Sequence, residues 1–197
     1  MKRYRLEQIG EIISGGTPST KIKEYWSGDI PWITPKDLSK LKTKYITHGE
    51  RNITKQGLDN SSAKLIPKNT ILLSSRAPIG YIAIAKNTLT TNQGFKSLFC
   101  DETKCYYEYF YYWLNCNINY IIHRANGSTF KEISAKTFKK IEIDLPDLVI
   151  QKKIANILKK IDEEIEINYK INKNFIYQLL KHLILQTLIL VKKYLVI

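Results

Sequence analysis

The last quarter of the chain contains no glycine and no proline: all nine glycines and all six prolines lie at or before Pro146. The two residues that most readily stop a helix are therefore missing after that point, and nothing there need break one. Cysteine is equally sparse. Cys100, Cys105 and Cys116 are odd in number and show no CxxC spacing, which argues against a disulfide framework and a zinc site and fits a reducing cytoplasm. No apolar run is long enough for a bilayer. Leu183–Ile197 comes closest, but it has about 15 residues where roughly 20 are needed, and Lys192 and Lys193 interrupt it. The start, Met1-Lys2-Arg3-Tyr4-Arg5, leads into Leu6-Glu7-Gln8 rather than an apolar core, so no signal peptide is expected. Signatures of catalysis are also missing: there is no GxGxxG, GxxxxGK[ST], GxSxG or Asn/Asp-Pro-Pro-aromatic tetrad. A nuclease could be assembled only from Asp37, Glu102 and Lys104, which nothing in the sequence brings together. The expectation is a cytoplasmic chain with no membrane contact, no catalytic residue, no metal site and no cofactor of its own.

What is present is positive charge. Lys and Arg number 31 against 18 Asp and Glu, a net +13, which points to a polyanionic partner. Residues 1–146 hold 22 cations against 13 anions and residues 147–197 hold 9 against 5, so most of the surplus lies in the first part. A genome-wide bias toward Lys, Ile, Asn and Tyr would produce part of the same signal. At 44% apolar content over 197 residues the chain can bury a core.

Along the chain, Gly15-Gly16-Thr17-Pro18-Ser19-Thr20 reads as a loop, either an ordinary turn or a cradle in which glycine N–H groups and the hydroxyls of Thr17, Ser19 and Thr20 face a phosphate. Ile30, Trp32 and Ile33 suggest a short strand after the turn at Ser27-Gly28-Asp29, and Thr34-Pro35-Lys36-Asp37 opens a loop or helix, with Lys36 and Asp37 exposed. Trp26 and Trp32 suit core anchors better than base-stacking platforms. Strand-like runs cover Thr70–Ser74, Tyr81–Ala85 and Phe95–Phe99. Arg76, Asn92 and Gln93 fall in the loops between them. Arginine makes bidentate bonds to guanine, and Asn and Gln make them to adenine, although Asn92 could equally bond its own turn. Tyr106–Arg124 reads as one helix ended by Asn126-Gly127, with its aromatic residues mostly in the core, and Gly127-Ser128-Thr129-Phe130-Lys131 suits phosphate contact. Ser134 caps a short helical turn, and Ile141–Leu145 alternates like a strand.

The run Ile13-Ser14-Gly15-Gly16-Thr17-Pro18-Ser19, followed by Tyr25-Trp26-Ser27-Gly28-Asp29-Ile30-Pro31-Trp32-Ile33-Thr34-Pro35-Lys36-Asp37-Leu38, resembles the opening of a target recognition domain. Leu72–Gly80, Thr91–Phe95, Gly127–Phe130, Leu145-Pro146 and Gln151–Ala155 continue the pattern in order, so that it covers about residues 6 to 180. The family so resembled is that of the specificity subunits of Type I restriction–modification systems. The resemblance implies an α+β fold: a loop-rich recognition domain over residues 1–146 with a mixed, twisted sheet, then a long helix over 147–197 that pairs as an antiparallel coiled coil. It implies double-stranded DNA as ligand and methyltransferase and restriction subunits as partners, with S-adenosylmethionine, ATP and Mg on those subunits. Lys36, Arg76, Asn92 and Gln93 become the expected base readers. Thr17, Ser19, Thr20, Lys40, Thr91, Lys96, Ser128, Thr129 and Lys131 join them as expected DNA contacts. The chain departs from the family pattern in having one recognition domain and one helical region instead of two of each, which implies either a homodimer of half-subunits or a truncated product.

The helix is expected from about Leu148 to about Val191, roughly 65 Å at ~1.5 Å per residue. One phase runs Ile154, Leu158, Ile161, Ile165, Asn168, Asn172, Phe175, Leu179, alternating steps of four and three. The two asparagines either fix the register of a seam or lie on a solvated edge. A different class of function, a protein–protein adaptor that uses this helix and the apolar tail without DNA, fits the same helix.

Overall fold

The computed structural model describes residues 1–127 and 131–195, with residues 185–195 described by backbone alone. Two units are present, Met1–Ala155 and Asn156–Ile197. The order of elements is β1 (Lys2–Arg5), β2 (Gly10–Ser14), β3 (Trp26–Ile33), α1 (Pro35–Ser39), β4 (Tyr45–Ile46), β5 (Arg51–Ile53), α2 (Lys55–Asp59), β6 (Ile71–Ser75), β7 (Ile79–Ala85), β8 (Thr90–Thr91), β9 (Phe95–Cys100), α3 (Tyr107–Cys116), α4 (Ile118–Ile122), α5 (Ala135–Lys139), β10 (Glu142–Leu145) and α6 (Leu148–Leu195).

The expected mixed sheet is there, as a five-stranded sheet in the order β2-β9-β6-β7-β4, beside a three-stranded sheet β5-β3-β8 and the pair β1-β10. β4 runs parallel to β7 and β8 parallel to β3, while the remaining pairs are antiparallel. β6 is buried at all five positions, as a strand covered on both faces must be. Its side chains alternate between two cores. Ile71 and Leu73 join Leu98, Phe110 and Leu114 on one face, and Leu72 joins Ala83, Ala85 and Phe95 on the other. Trp26 and Trp32 pack edge to face, 5.0 Å between centroids, in a third cluster with Ile53 and Ala63. Both tryptophans are core anchors.

Three details differ from the sequence reading. β3 begins at Trp26 rather than after Asp29, because its pairing with β5 shifts between Trp26 and Ile30 and absorbs the turn residues as an irregularity. The single helix expected over Tyr106–Arg124 is two, α3 and α4. Asn117 interrupts it: its side-chain amide donates to the Trp113 carbonyl at 2.8 Å and its backbone leaves helical geometry. Glu108, which had no assigned role, is fully buried and accepts hydrogen bonds from the Tyr45 and Tyr106 hydroxyls, with the Lys44 ammonium 3.8 Å away. Burial, helped by this carboxylate, pushes both phenols well above their usual range.

α6 starts where the glycines and prolines end. Its first turns belong to the globular unit, which runs to Ala155. Gln151 explains this. Fully buried, its side chain accepts from Tyr106 N–H at 2.9 Å and donates to the carbonyls of Lys104 at 2.9 Å and Pro146 at 2.8 Å. Over 48 residues α6 is roughly 72 Å long at ~1.5 Å per residue. Within the second unit, Ile161 is 49%, Ile165 61%, Phe175 63% and Leu179 47% exposed. No helix among the described residues is long and apolar enough to cross a membrane.

Candidate nucleic-acid interface

Four loops far apart in sequence converge in the first unit, and backbone hydrogen bonds tie them together. Gly16 N–H donates to the Thr91 carbonyl at 2.9 Å, Asn92 N–H to the Ile33 carbonyl at 3.0 Å, and Ser75 N–H to the Gly94 carbonyl at 2.7 Å. Gly94 sits at the centre: a Cβ there would lie 3.0 Å from Asn92 Oδ1, 3.5 Å from Pro35 Cγ and 3.7 Å from Arg76 Cγ. Thr17 donates its hydroxyl proton to Gln93 Oε1. Thr17, Asn92, Gln93 and Arg76 are thus neighbours, and Gln93, exposed, keeps its amide N–H groups without a partner among the described residues.

Gly15 and Gly16 serve this convergence. The Gly16 N–H is already used by Thr91, and the Gly16 carbonyl accepts from Trp32 Nε1 at 2.9 Å. A Cβ on Gly15 would fall 2.2 Å from the Asn92 carbonyl oxygen, so the glycines give clearance where two loops cross. Asn92 uses its side chain on its own turn, accepting from Gly94 N–H at 2.9 Å. Thr91 is fully buried and its hydroxyl has no hydrogen-bond partner among the described residues. Both Asn92 and Thr91 shape the loop from inside. Ser19 and Thr20 are exposed, and the Ser19 carbonyl accepts from Trp26 Nε1.

Lys36 and Lys40 lie on and just after α1, which Thr34 and Asp37 cap reciprocally. Asp37 is therefore a structural cap, and the partner of Lys36 is Glu50 at 3.0 Å, shared with Lys40. The two lysines hold the Glu50 carboxyl down to about 2. Arg76 and Lys96 share Glu132, at 3.6 and 3.7 Å. Lys96 is buried beside Ser75 Oγ, and burial pulls its ammonium below the usual lysine range while Glu132 pulls the other way. Lys96 thus stands behind Arg76 and not on the surface. Lys131 is exposed; Ser128 and Thr129 lie outside the described residues. Among the described residues no group of three His, Cys, Asp or Glu side chains could hold a metal ion. Lys104 pairs with Asp101 at 2.8 Å, and Asp37 is committed to its cap.

The profile of the family described as "Type I restriction modification DNA specificity domain" matches residues 1–184. The chain belongs to that family. It is 49% identical over 170 residues, 86% of its length, to the Type I restriction enzyme MjaIX specificity subunit of Methanocaldococcus jannaschii. To the EcoR124I/EcoR124II specificity subunit of Escherichia coli it is 32% identical over 80% of its length. It spans 39% and 40% of those two relatives. Among solved structures, the HsdS subunit from Thermoanaerobacter tengcongensis shares the fold with a TM-score of 0.65 at 19% identity, covering 84% of this chain and 38% of that one.

In this specificity domain, the residues that sequence reasoning missed are those that brace the expected DNA contacts. Glu132 neutralises Arg76 and Lys96, Glu50 gathers Lys36 and Lys40, and Gly94 makes room for three loops at once. Only Gly94 left a signal, as part of the Thr91-Asn92-Gln93-Gly94-Phe95 run.

Proposed function

We propose that this chain recognises a specific sequence in double-stranded DNA as a non-catalytic specificity half-subunit, and that it directs methyltransferase and restriction subunits to that sequence in the cytoplasm. The carrying observation is the convergence of Thr17, Arg76, Asn92 and Gln93, from separate loops, onto one basic unit. Arg76 offers a bidentate donor pair for guanine, Gln93 an amide that can donate to and accept from an adenine edge, and Lys36, Lys40, Ser19, Thr20 and Lys131 serve beside them as phosphate contacts. S-adenosylmethionine, ATP and Mg would act on the partner subunits, consistent with a chain that carries no catalytic motif of its own.

The helix completes the proposal. Ile154, Leu158, Ile161, Ile165, Asn168, Asn172, Phe175 and Leu179 follow a 3.5-residue period along α6, which suits an antiparallel pairing with a second copy. A two-fold dimer of that kind reads two half-sites of one sequence, separated by an unread gap, and so needs a palindromic split target. Co-expression with a cognate methylating subunit, followed by mapping of methylated positions, tests both parts. A palindromic split site is the expected result. Methylation at a single, undivided site would remove the dimer, and no sequence-dependent methylation would remove DNA recognition.

A further inference from the structure

A concavity of about 300 Å³ lies beside the bridge between Asn126 and Glu132, lined by Arg124, Asn126, Lys136, Thr137, Lys140 and Ile141. Three of these six side chains are cationic and none is anionic. The cations around the reading loops are compensated: Lys36 and Lys40 by Glu50, Arg76 and Lys96 by Glu132. Arg124, Lys136 and Lys140 have no carboxylate partner among the described residues. The Arg124 guanidinium lies over the Tyr120 ring, 3.6 Å from its centroid, which fixes its plane while leaving its N–H donors free. Lys136 and Lys140, four residues apart at α5 and its C-cap, fall on the same side of that turn.

The concavity is coupled to the readers by backbone. Asn126 and Glu132 exchange N–H···O bonds of 3.0 and 2.9 Å, and the Glu132 carboxylate is the one that holds Arg76. Gly127, next to Asn126, holds φ +107°, a backbone conformation that favours glycine. A strip therefore runs from Gln93 through Arg76 and Glu132 to an uncompensated basic hollow.

Building on the DNA-binding reading above, we propose that this hollow seats a phosphodiester of the DNA backbone beside the bases that Arg76 reads. Arg124 provides the planar fork that matches two non-bridging oxygens, and Lys136 and Lys140 supply the charge that displaces condensed counterions. Its contribution is independent of sequence, so the test needs no knowledge of the target.

The test measures affinity of the full chain for a random-sequence duplex of about 40 base pairs across a range of salt. Replacing Arg124, Lys136 and Lys140 together by Ala should weaken binding about tenfold at low salt and make the slope of log K against log salt shallower by about 0.9 for each phosphate no longer neutralised. A charge-matched control, Lys55→Ala, Lys68→Ala and Lys86→Ala, should change both much less, and Arg124→Lys with Lys136→Arg and Lys140→Arg should restore the wild-type slope. If the alanine triple and the matched control behave alike while the wild type binds, the hollow is not a phosphate seat. If the wild type itself fails to bind duplex, the DNA-binding reading fails first. Should the alanine triple melt below the wild type, Lys136→Glu against Lys86→Glu carries the same comparison: equal losses overturn the assignment.

Discussion

The two units handle apolar surface in opposite ways. Residues 1–155 fold it inward, with Phe95, Phe110, Phe138 and a set of Ile and Leu side chains fully buried over both faces of one sheet. In the second unit Ile161, Ile165, Ile171, Phe175 and Leu179 stay about half exposed or more, at a helical spacing that places several on one stripe. The first unit draws its stability from contacts within the chain. An isolated helix with such a stripe gains little by itself, so its stability depends on what it meets and at what concentration.

The sharpest way to break that contrast is to charge the stripe. Ile161→Asp with Ile165→Asp should weaken self-association at least about 100-fold, equivalent to about 2.7 kcal/mol, and leave the melting of the globular unit unchanged, as sedimentation and calorimetry would show. A wild-type chain that is already monomeric at tens of micromolar would mean the stripe serves another partner. The converse experiment strikes the first unit. Gln151→Ala removes three hydrogen bonds and strands the Tyr106 N–H and the Lys104 and Pro146 carbonyls, so a loss of about 3 kcal/mol is expected in denaturant unfolding, with self-association intact.

A smaller effect is expected at Glu132. Glu132→Gln leaves Lys96 buried without its carboxylate and should cost about 1–2 kcal/mol, less than for a fully buried pair because Glu132 is 40% exposed. Its pH dependence has a definite sign. The Lys96 ammonium titrates below its ordinary value in the folded state, so between the two values the unfolded chain holds more protons and stability rises with pH. Lys96→Met should abolish that alkaline rise and the Glu132 sensitivity together. The smallest effect belongs to Glu50. With its carboxyl held to about 2 by Lys40 and Lys36, its contribution is complete above the ordinary carboxylate range near 4.5 and fades as pH falls toward 2. Side-chain NMR of Glu50 should follow that low midpoint, and Lys40→Ala should raise it.

How much of this was legible in the sequence divides by range of interaction. The strands β6, β7 and β9 could be read from short apolar runs between turn residues, and α6 from the end of glycine and proline, because both signals are local. The family resemblance followed from an ordered set of motifs, not from any one of them, while the convergence of Thr17, Arg76, Asn92 and Gln93 depends on contacts between distant loops that no local signal carries. Roles set by distant partners escaped. Glu108 looks like any surface glutamate of an aromatic helix until Tyr45 arrives from 63 residues away, and Gln151 looks solvated until Lys104 and Tyr106 close over it. Gly15 and Gly16 carried a phosphate reading because their backbone freedom is visible in sequence, while the crossing strand at Thr91 that uses it is not.

The antiparallel pair of β1 and β10, Lys2 beside Leu145 and Arg5 beside Glu142, brings the two ends of the segment they enclose to one spot. A module whose ends are adjacent can be spliced into a host loop or joined in tandem without stretching either junction. The fold is thus suited to exchange of the segment between these two strands, and the helix that follows would feel the change through Gln151, whose partners Lys104 and Tyr106 lie within that segment.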